Sequence, residues 1–238
     1  KKKEIQFLKQ SCTTISLTHA GKNEIEKWNK NNIQFSPIKV IPCCTDLEHF
    51  KKVDRANDNV NLGYIGSLGT WYLLDEMLSF FKVYQKSFPT AKFHFLTKDK
   101  PNLIIEKATQ QQINKDLLII EEVKRIEIIQ KVKDWKAAVF FIKPSYSKIS
   151  SSPVKQGELM AMGIPVFCNS GIGDTDKIIS EYNSGIIITE FNEQEYKNKI
   201  IQFEKTYFDS DKIRLGAEDY FSLNHGIKAY QKTYSNVI

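Results

Sequence analysis

Long apolar runs are absent from this chain. No segment approaches the ~18 consecutive apolar residues that span a bilayer, and no leader pattern of basic, apolar and small residues is visible. Cysteine is scarce as well. The four residues, Cys12, Cys43, Cys44 and Cys168, contain no C-x-x-C pair and no zinc-like spacing, which argues against a cysteine-based metal module. They read as reduced thiols of a cytoplasmic protein. The four histidines have no partners at ligand spacing, so no metal or other cofactor is expected, and His94 reads as a packed core residue. Neither G-x-G-x-x-G nor a P-loop lysine occurs. Basic residues are not interleaved with aromatics as in nucleic-acid modules, so nucleic acid is not an expected partner. Repeats of about 20–50 residues are missing too, which excludes a solenoid.

What the chain does have is apolar mass. Hydrophobic residues make up 41% of 238 positions and aromatics 12%, enough for the core of one large domain or of one domain plus part of another. The formal charge of +6 is spread along the sequence apart from Lys1-Lys2-Lys3, the pattern of solvated faces. That excess would also suit phosphorylated substrates, or a peripheral hold on the inner face of a membrane. The chain begins without methionine in a polar run, and is therefore expected to be an internal piece of a longer protein.

From Asn59 onward strand and helix signals alternate. Val60–Gly66 reads as a strand closed by a glycine turn, and Leu74–Phe88 as a helix with apolar residues at helical spacing. Strands follow at "AKFHFLT", "LLIIEEV", "AAVFFIK", "IPVFCN" and "GIIIT". Helices are expected from Pro101 to about Ile113, over Arg125–Trp135, Val154–Met162, Asp174–Tyr182 and Asn192–Thr206. Beyond Phe208 the pattern is helical to the end, with Ser222 as cap of the final helix. Several strands are apolar on successive residues, as strands buried on both faces must be. The expected class is α/β, a Rossmann-like parallel sheet with helices on both faces. Before Phe50 lie a strand ("TTISLT"), a polar helix ("GKNEIEKWNKN") and another strand ("PIKVIP"), followed by a polar, linker-like stretch at Lys51–Asn59. Residues 1–50 are therefore read as the tail of a preceding domain, and 51–238 as a second domain.

Two segments carry chemistry. In "GYIGSLGTW", Gly66 and Gly69 follow a strand and precede a helix, where small residues let backbone N–H groups approach a phosphate. A tight structural turn would look the same. The segment Ser150–Glu158 says more. Ser152 suits an N-cap and Pro153 the first helical position. The free N–H groups of Val154 and Lys155, aided by the helix dipole, would then face an anion, and Lys155 adds a full charge. Glu158 lies ~7–8 Å along the helix, the reach from a diphosphate to the ribose of one nucleotide, and a carboxylate can accept from both hydroxyls of a cis-diol. An exposed helical glutamate without a role is the other reading. Thr97, Lys98 and Glu121–Val123 end strands on the edge where a base would lie. The glycine loop Ser170–Asp176 offers Asp174 as a helix cap.

"PIKVIPCCTDLEHF", "GYIGSLGTWYLLDEMLSFF" and "IKPSYSKISSSPVKQGELMAMGIPVFCNSGIGD" together resemble the GT-B-type glycosyltransferases of family 4, over Pro37 to about Thr189. In that family an "IPNGVDxxxF"-like stretch marks the interdomain crossing and a "GRLxxxKG"-like turn opens the donor domain. An "E-x7-E" element followed by a "GxPV" strand holds the nucleotide sugar. The resemblance implies that residues 51–238 form a donor-binding domain and that residues 1–50 are a remnant of the acceptor-side domain with the crossover. Glu158 stands at the ribose-binding glutamate. Ser150 replaces the other glutamate, Ser67 an arginine, and Tyr72 roughly the lysine that neutralises diphosphate. Lys148, Lys155 or Lys143 could supply the missing cation. Gly66, Ser67, Lys98, Val123, Lys148, Ser150, Ser151, Ser152, Val154, Lys155 and Glu158 are thus expected to bind a UDP-, GDP- or similar nucleotide sugar. The implied reaction is hexosyl transfer with retention, to a glycan or lipid-linked acceptor and without a bound metal. A non-catalytic nucleotide-sugar-binding subunit is the alternative, and a nucleotide-sugar epimerase a weaker one.

Overall fold

The structure, a computed structural model, describes residues 2–28, 35–56 and 58–235. The expected N-terminal helix and the final helix both run into positions outside this set. In chain order come α1 (Lys2–Gln10), β1 (Thr14–Ser16), α2 (His19–Glu26) and β2 (Ile38–Val40). Next are β3 (Asn61–Ile65), α3 (Leu74–Ser87), β4 (Phe93–Leu96), α4 (Pro101–Gln110) and β5 (Leu118–Glu121). Then follow α5 (Ile128–Lys131), β6 (Trp135–Phe140), α6 (Val154–Ala161), β7 (Val166–Asn169), α7 (Thr175–Tyr182) and β8 (Gly185–Ile188). Three helices close the chain: α8 (Glu193–Lys205), α9 (Ser210–Phe221) and α10 (Leu223–Ser235).

Among the described residues, β3 to β8 form one parallel sheet in the order β5-β4-β3-β6-β7-β8, and β1 and β2 a separate parallel pair. Every residue of β4 and β7 is buried, which explains their unbroken apolar runs. On α3 the apolar positions fall three and four apart, and Met77, Leu78, Phe81 and Tyr84 are all buried in the core.

The structure departs from the sequence expectations in a few places. The polar run at the start is a helix, α1, amphipathic but only nine residues long, with Leu8 its one buried residue. The expected helix over Arg125–Trp135 breaks into two 3-10 turns around the four residues of α5, and Trp135 opens β6 instead. Its indole fills the space beside Gly63, where a Cβ would fall 1.9 Å from the ring. The indole N–H donates to His94 Nδ1 at 3.0 Å. The other ring nitrogen of His94 lies 2.8 Å from Glu121, so this histidine is a satisfied core residue.

Asp174 also differs. It occupies the N-cap of α7 but makes no side-chain bond there. Its carboxylate instead accepts the N–H groups of His19 (2.6 Å) and Ala20 (2.8 Å), with the Tyr220 hydroxyl as a further donor. A carboxylate from the large sheet's side thus caps the first turn of α2, where an anion is favoured by the dipole and by the free amides. Thr18 Oγ1, which accepts from the Gly21 N–H at 2.9 Å, reaches back to the Ile149 carbonyl at 3.1 Å. At the other end of the chain, Lys39 Nζ donates to Thr233 Oγ1 of α10 at 3.2 Å.

Asp174→Ala leaves three buried or half-buried donors without an acceptor. It should lower unfolding free energy by about 1.5–3 kcal/mol, the range for hydrogen bonds to a charged group. Proteolysis of the α2 segment should also quicken. Urea denaturation of both proteins measures the first effect, and an unchanged midpoint would show that this clasp contributes nothing.

Candidate functional site

In a doubly wound sheet, ligands bind beyond the carboxyl ends of the strands where the strand order reverses. Here that place lies between β3 and β6, and a cavity of about 460 Å³ opens there. Gly66 lies at one side, just past β3; the segment Lys148–Glu158, past β6, supplies the other. Gly66 has φ +97° and Gly69 φ +47°, left-handed values that glycine adopts without strain.

Asp99, which sequence reasoning missed, holds this turn in place. It accepts the Leu68 N–H at 2.6 Å, the Thr97 hydroxyl at 2.8 Å and the Ser67 hydroxyl at 3.3 Å. Burial pushes the Asp99 carboxyl up, but these bonds and the nearby Lys155 together hold it below its usual value. Ser67 is thereby turned toward Asp99 and does not line the cavity.

The start of α6 differs from the expected cap. Pro153 itself stands at the N-cap, with no side-chain bond to the helix. Ser152 Oγ is engaged elsewhere, accepting the N–H of Cys43 at 3.2 Å. Val154 and Lys155 are the first two helical residues, whose amides have no partner within the helix. Gly157 lets α6 approach its neighbours, since a Cβ there would meet Thr45 Oγ1 at 2.4 Å and the Phe221 ring at 2.9 Å. The far end is tied down by Arg214 of α9, which donates to the carbonyls of Ala161 (2.7 Å) and Phe50 (2.9 Å).

Lys155 is the largest correction. Its side chain does not reach into solvent as a free charge; it is 7% exposed. The amine sits over the rings of Tyr72 (3.4 Å) and Tyr64 (3.9 Å) and has no hydrogen-bond partner. Burial holds it well below the ordinary lysine value, against the pull of Glu158 and Asp99. Glu158 faces the same cavity with its side chain 18% exposed, and Arg125 Nη2 lies 3.9 Å from its carboxylate. Burial pushes this carboxyl up, while Arg125, Lys155 and His49 pull it down.

Of the remaining expected residues, Lys148, Ser150, Ser151, Ser152 and Val154 line the cavity. Lys148 Nζ rests 3.8 Å above the ring of Trp71, an aromatic that sequence reasoning did not single out. Lys98 and Val123 do not reach the cavity. The Lys98 side chain is 80% exposed and lies 3.8 Å from Glu122, and Val123 packs half-buried against the core. Ser150 also borders a second cavity, of about 640 Å³, walled by Phe7, Trp28 and Tyr146. There the Tyr146 hydroxyl donates to Glu24 at 2.7 Å. No group of His, Cys, Asp and Glu suited to a metal is found among the described residues, nor a helix long and apolar enough to cross a membrane.

Comparison with known proteins agrees with the fold. The sequence profile of the family described as "Glycosyl transferases group 1" matches residues 46–217. A search of curated proteins returns no match. Among solved structures, the fold is similar to sucrose-phosphate synthase from Thermosynechococcus elongatus, at TM-score 0.75 and 14% identity over 98% of this chain and 60% of that one. It is also similar to a mutant of S. aureus TarM in complex with fondaparinux, alpha-GlcNAc-glycerol and UDP (TM-score 0.71, 16% identity, 98% of this chain, 46% of that one). A third is the pneumococcal O-GlcNAc transferase GtfA in complex with UDP and GlcNAc (TM-score 0.69, 14% identity, 99% of this chain, 47% of that one). The chain therefore spans less than two thirds of each of these proteins.

A buried amine without a partner opposes folding, either as an ammonium stripped of hydration or as an amine that has given up its proton. Lys155→Met, of similar volume, should therefore stabilise the unliganded protein at pH 7, by about 1–3 kcal/mol. Because the native amine is depressed below its unfolded value, the unfolded state binds more protons between the two, and wild-type stability climbs as pH rises through that window. Urea melts at pH 7 and pH 9 should show the variant's advantage shrinking at the higher pH. A variant less stable than wild type at pH 7 would contradict the assignment.

Proposed function

The chain belongs to the glycosyl transferases group 1, and on that premise we propose that its large sheet binds the nucleotide-diphospho-sugar donor of a sugar transfer. The observation that carries this reading is the cavity at the switch point. It combines a glycine turn, the partner-free amides that begin α6, an amine lacking a counter-ion and a half-buried carboxylate. In this reading the diphosphate lies against Gly66 and the amides of Val154 and Lys155, with the Lys155 amine beside it. Glu158 accepts from the ribose hydroxyls. Charge-assisted bonds of this kind are roughly twice as strong as neutral ones, and aimed at the departing diphosphate they lower the barrier to its release.

The positions where the family resemblance expects cations carry Ser67 and Tyr72. The Lys155 amine lies against the Tyr72 ring, so this proposal supplies the charge from the helix instead of the glycine turn. Ser150, at the border of the two cavities, sits where donor sugar and acceptor would meet. The acceptor, a glycan or a lipid-linked one, then enters from the side of Phe7, Trp28 and Tyr146, whose rings offer flat apolar faces to a sugar. We assign residues 1–50 to the acceptor-side domain and crossover, residues 51–238 to the donor domain, and retention to the anomeric carbon. UDP is the first nucleotide to test, because two of the structurally similar proteins hold it.

The absence of a carboxylate at Ser150 favours a second reading, in which the protein binds a nucleotide sugar without turning it over. Transfer or hydrolysis of a UDP-sugar by the protein would eliminate it; tight binding with no turnover would support it.

If the first reading holds, Glu158→Ala should weaken UDP or GDP binding by about 1.5–3 kcal/mol, roughly 10- to 150-fold in Kd. Isothermal titration calorimetry reads this directly. Equal affinity in the two proteins would remove Glu158 from the site.

A further inference from the structure

Five buried side-chain polar atoms lack a hydrogen-bond partner among the described residues: Thr45 Oγ1, Lys155 Nζ, Gln156 Nε2, Asp176 Oδ1 and Ser184 Oγ. Of these, Lys155 Nζ belongs to the candidate cavity. A Cβ on Gly66 would lie only 3.7 Å from that nitrogen, so the amine is next to the turn proposed for the diphosphate. Below it lie the rings of Tyr64 on β3 and Tyr72 on the segment after β3. The charged groups that influence it are Glu158, one turn further along α6, and Asp99, on the loop after β4. Asp99 is already engaged with Leu68, Thr97 and Ser67, and Glu158 has Arg125 nearby. Neither carboxylate is within bonding distance of the amine.

An ammonium in such a seat has lost its hydration and gained ring faces but no acceptor, and a buried cation without an acceptor sheds its proton more readily. A diphosphate placed against Gly66 changes this balance, because it brings two negative charges and several acceptor oxygens to an enclosed site of low dielectric. We infer that donor binding at this site takes up a proton: Lys155 gains its full charge together with the diphosphate it holds, the proton passing from solvent to Nζ. This rests on the proposed function. It adds that the cation is made on binding and does not stand ready beforehand. Affinity for the donor then falls with rising pH, above the depressed value of the free amine and below the restored value of the bound one. The depressed amine of the free protein is consistent with this direction.

The test uses the 238-residue chain and UDP, titrated at pH 8.0 in buffers of contrasting ionisation enthalpy such as Tris and HEPES. The second phosphate ionisation, near pH 6, is complete there. We expect buffer-dependent heats that show net proton uptake, about one proton per UDP at most, with Kd weakening up to about tenfold per pH unit above. Lys155→Met should bind UDP more weakly and exchange no proton. Glu158→Gln, which removes the carboxyl that lines the cavity, should keep the uptake on whatever binding remains. UDP binding by wild type with heats independent of buffer overturns the inference and leaves the proposed function standing, as does uptake that persists in Lys155→Met. Failure of wild type to bind UDP, GDP or ADP at any pH removes the proposed function and this inference with it.

Discussion

The site depends on one buried group without a partner, the Lys155 amine enclosed by Tyr64 and Tyr72 with no acceptor in reach. It cannot turn away, because α6 is packed on its other faces. Leu159, Met160 and Ala161 are wholly buried, Gly157 lies against Thr45 and Phe221, and Arg214 ties down the last turn. A fold that stabilised only itself would place an apolar side chain there, since desolvating an ion opposes folding. Keeping the lysine makes sense if an anion visits the cavity. On the proposed reading, stability given up in the free protein is restored by the ligand, a trade of stability for function.

The rest of the architecture serves to bring two separate segments together at that amine. Strand order reverses at β3, so the Gly66 turn and the segment after β6 face each other across the carboxyl edge. Asp99 fixes the turn by accepting the Leu68 amide, and Pro153 starts α6 without a side chain occupying its first amides. Asp174 then joins the sheet to the first turn of α2. Ser150 is left at the edge of both cavities, on the boundary between the β1–β2 unit and the large sheet.

Much of the fold was legible in the sequence because burial on both faces writes long apolar strands. "AKFHFLT" and "IPVFCN" became β4 and β7 with little adjustment. Helix α1 was not read, since its apolar stripe spans only nine residues inside a strongly polar run. Nor was the break at Arg125–Trp135, where the indole's place beside Gly63 and its bond to His94 draw Trp135 into a strand. At the site, the helix after Ser150 could be read from its spacing, but the residue that caps it and the direction of a lysine side chain could not. Long cationic side chains usually snorkel to water, and Lys155 does the opposite because α6 lies against the sheet. Asp99 was missed, and Asp174 was assigned to the cap of its own helix, for a related reason: each bonds to backbone amides remote in sequence, at Leu68 and at His19 and Ala20, and no local spacing records that.

The most direct check of the central claim is a crystal structure of this chain soaked with UDP. The account predicts diphosphate oxygens within hydrogen-bonding distance of Lys155 Nζ and of the amides of Val154 and Lys155, with the ribose against Glu158. UDP bound elsewhere on the molecule, with Lys155 Nζ still lacking an acceptor, would contradict it.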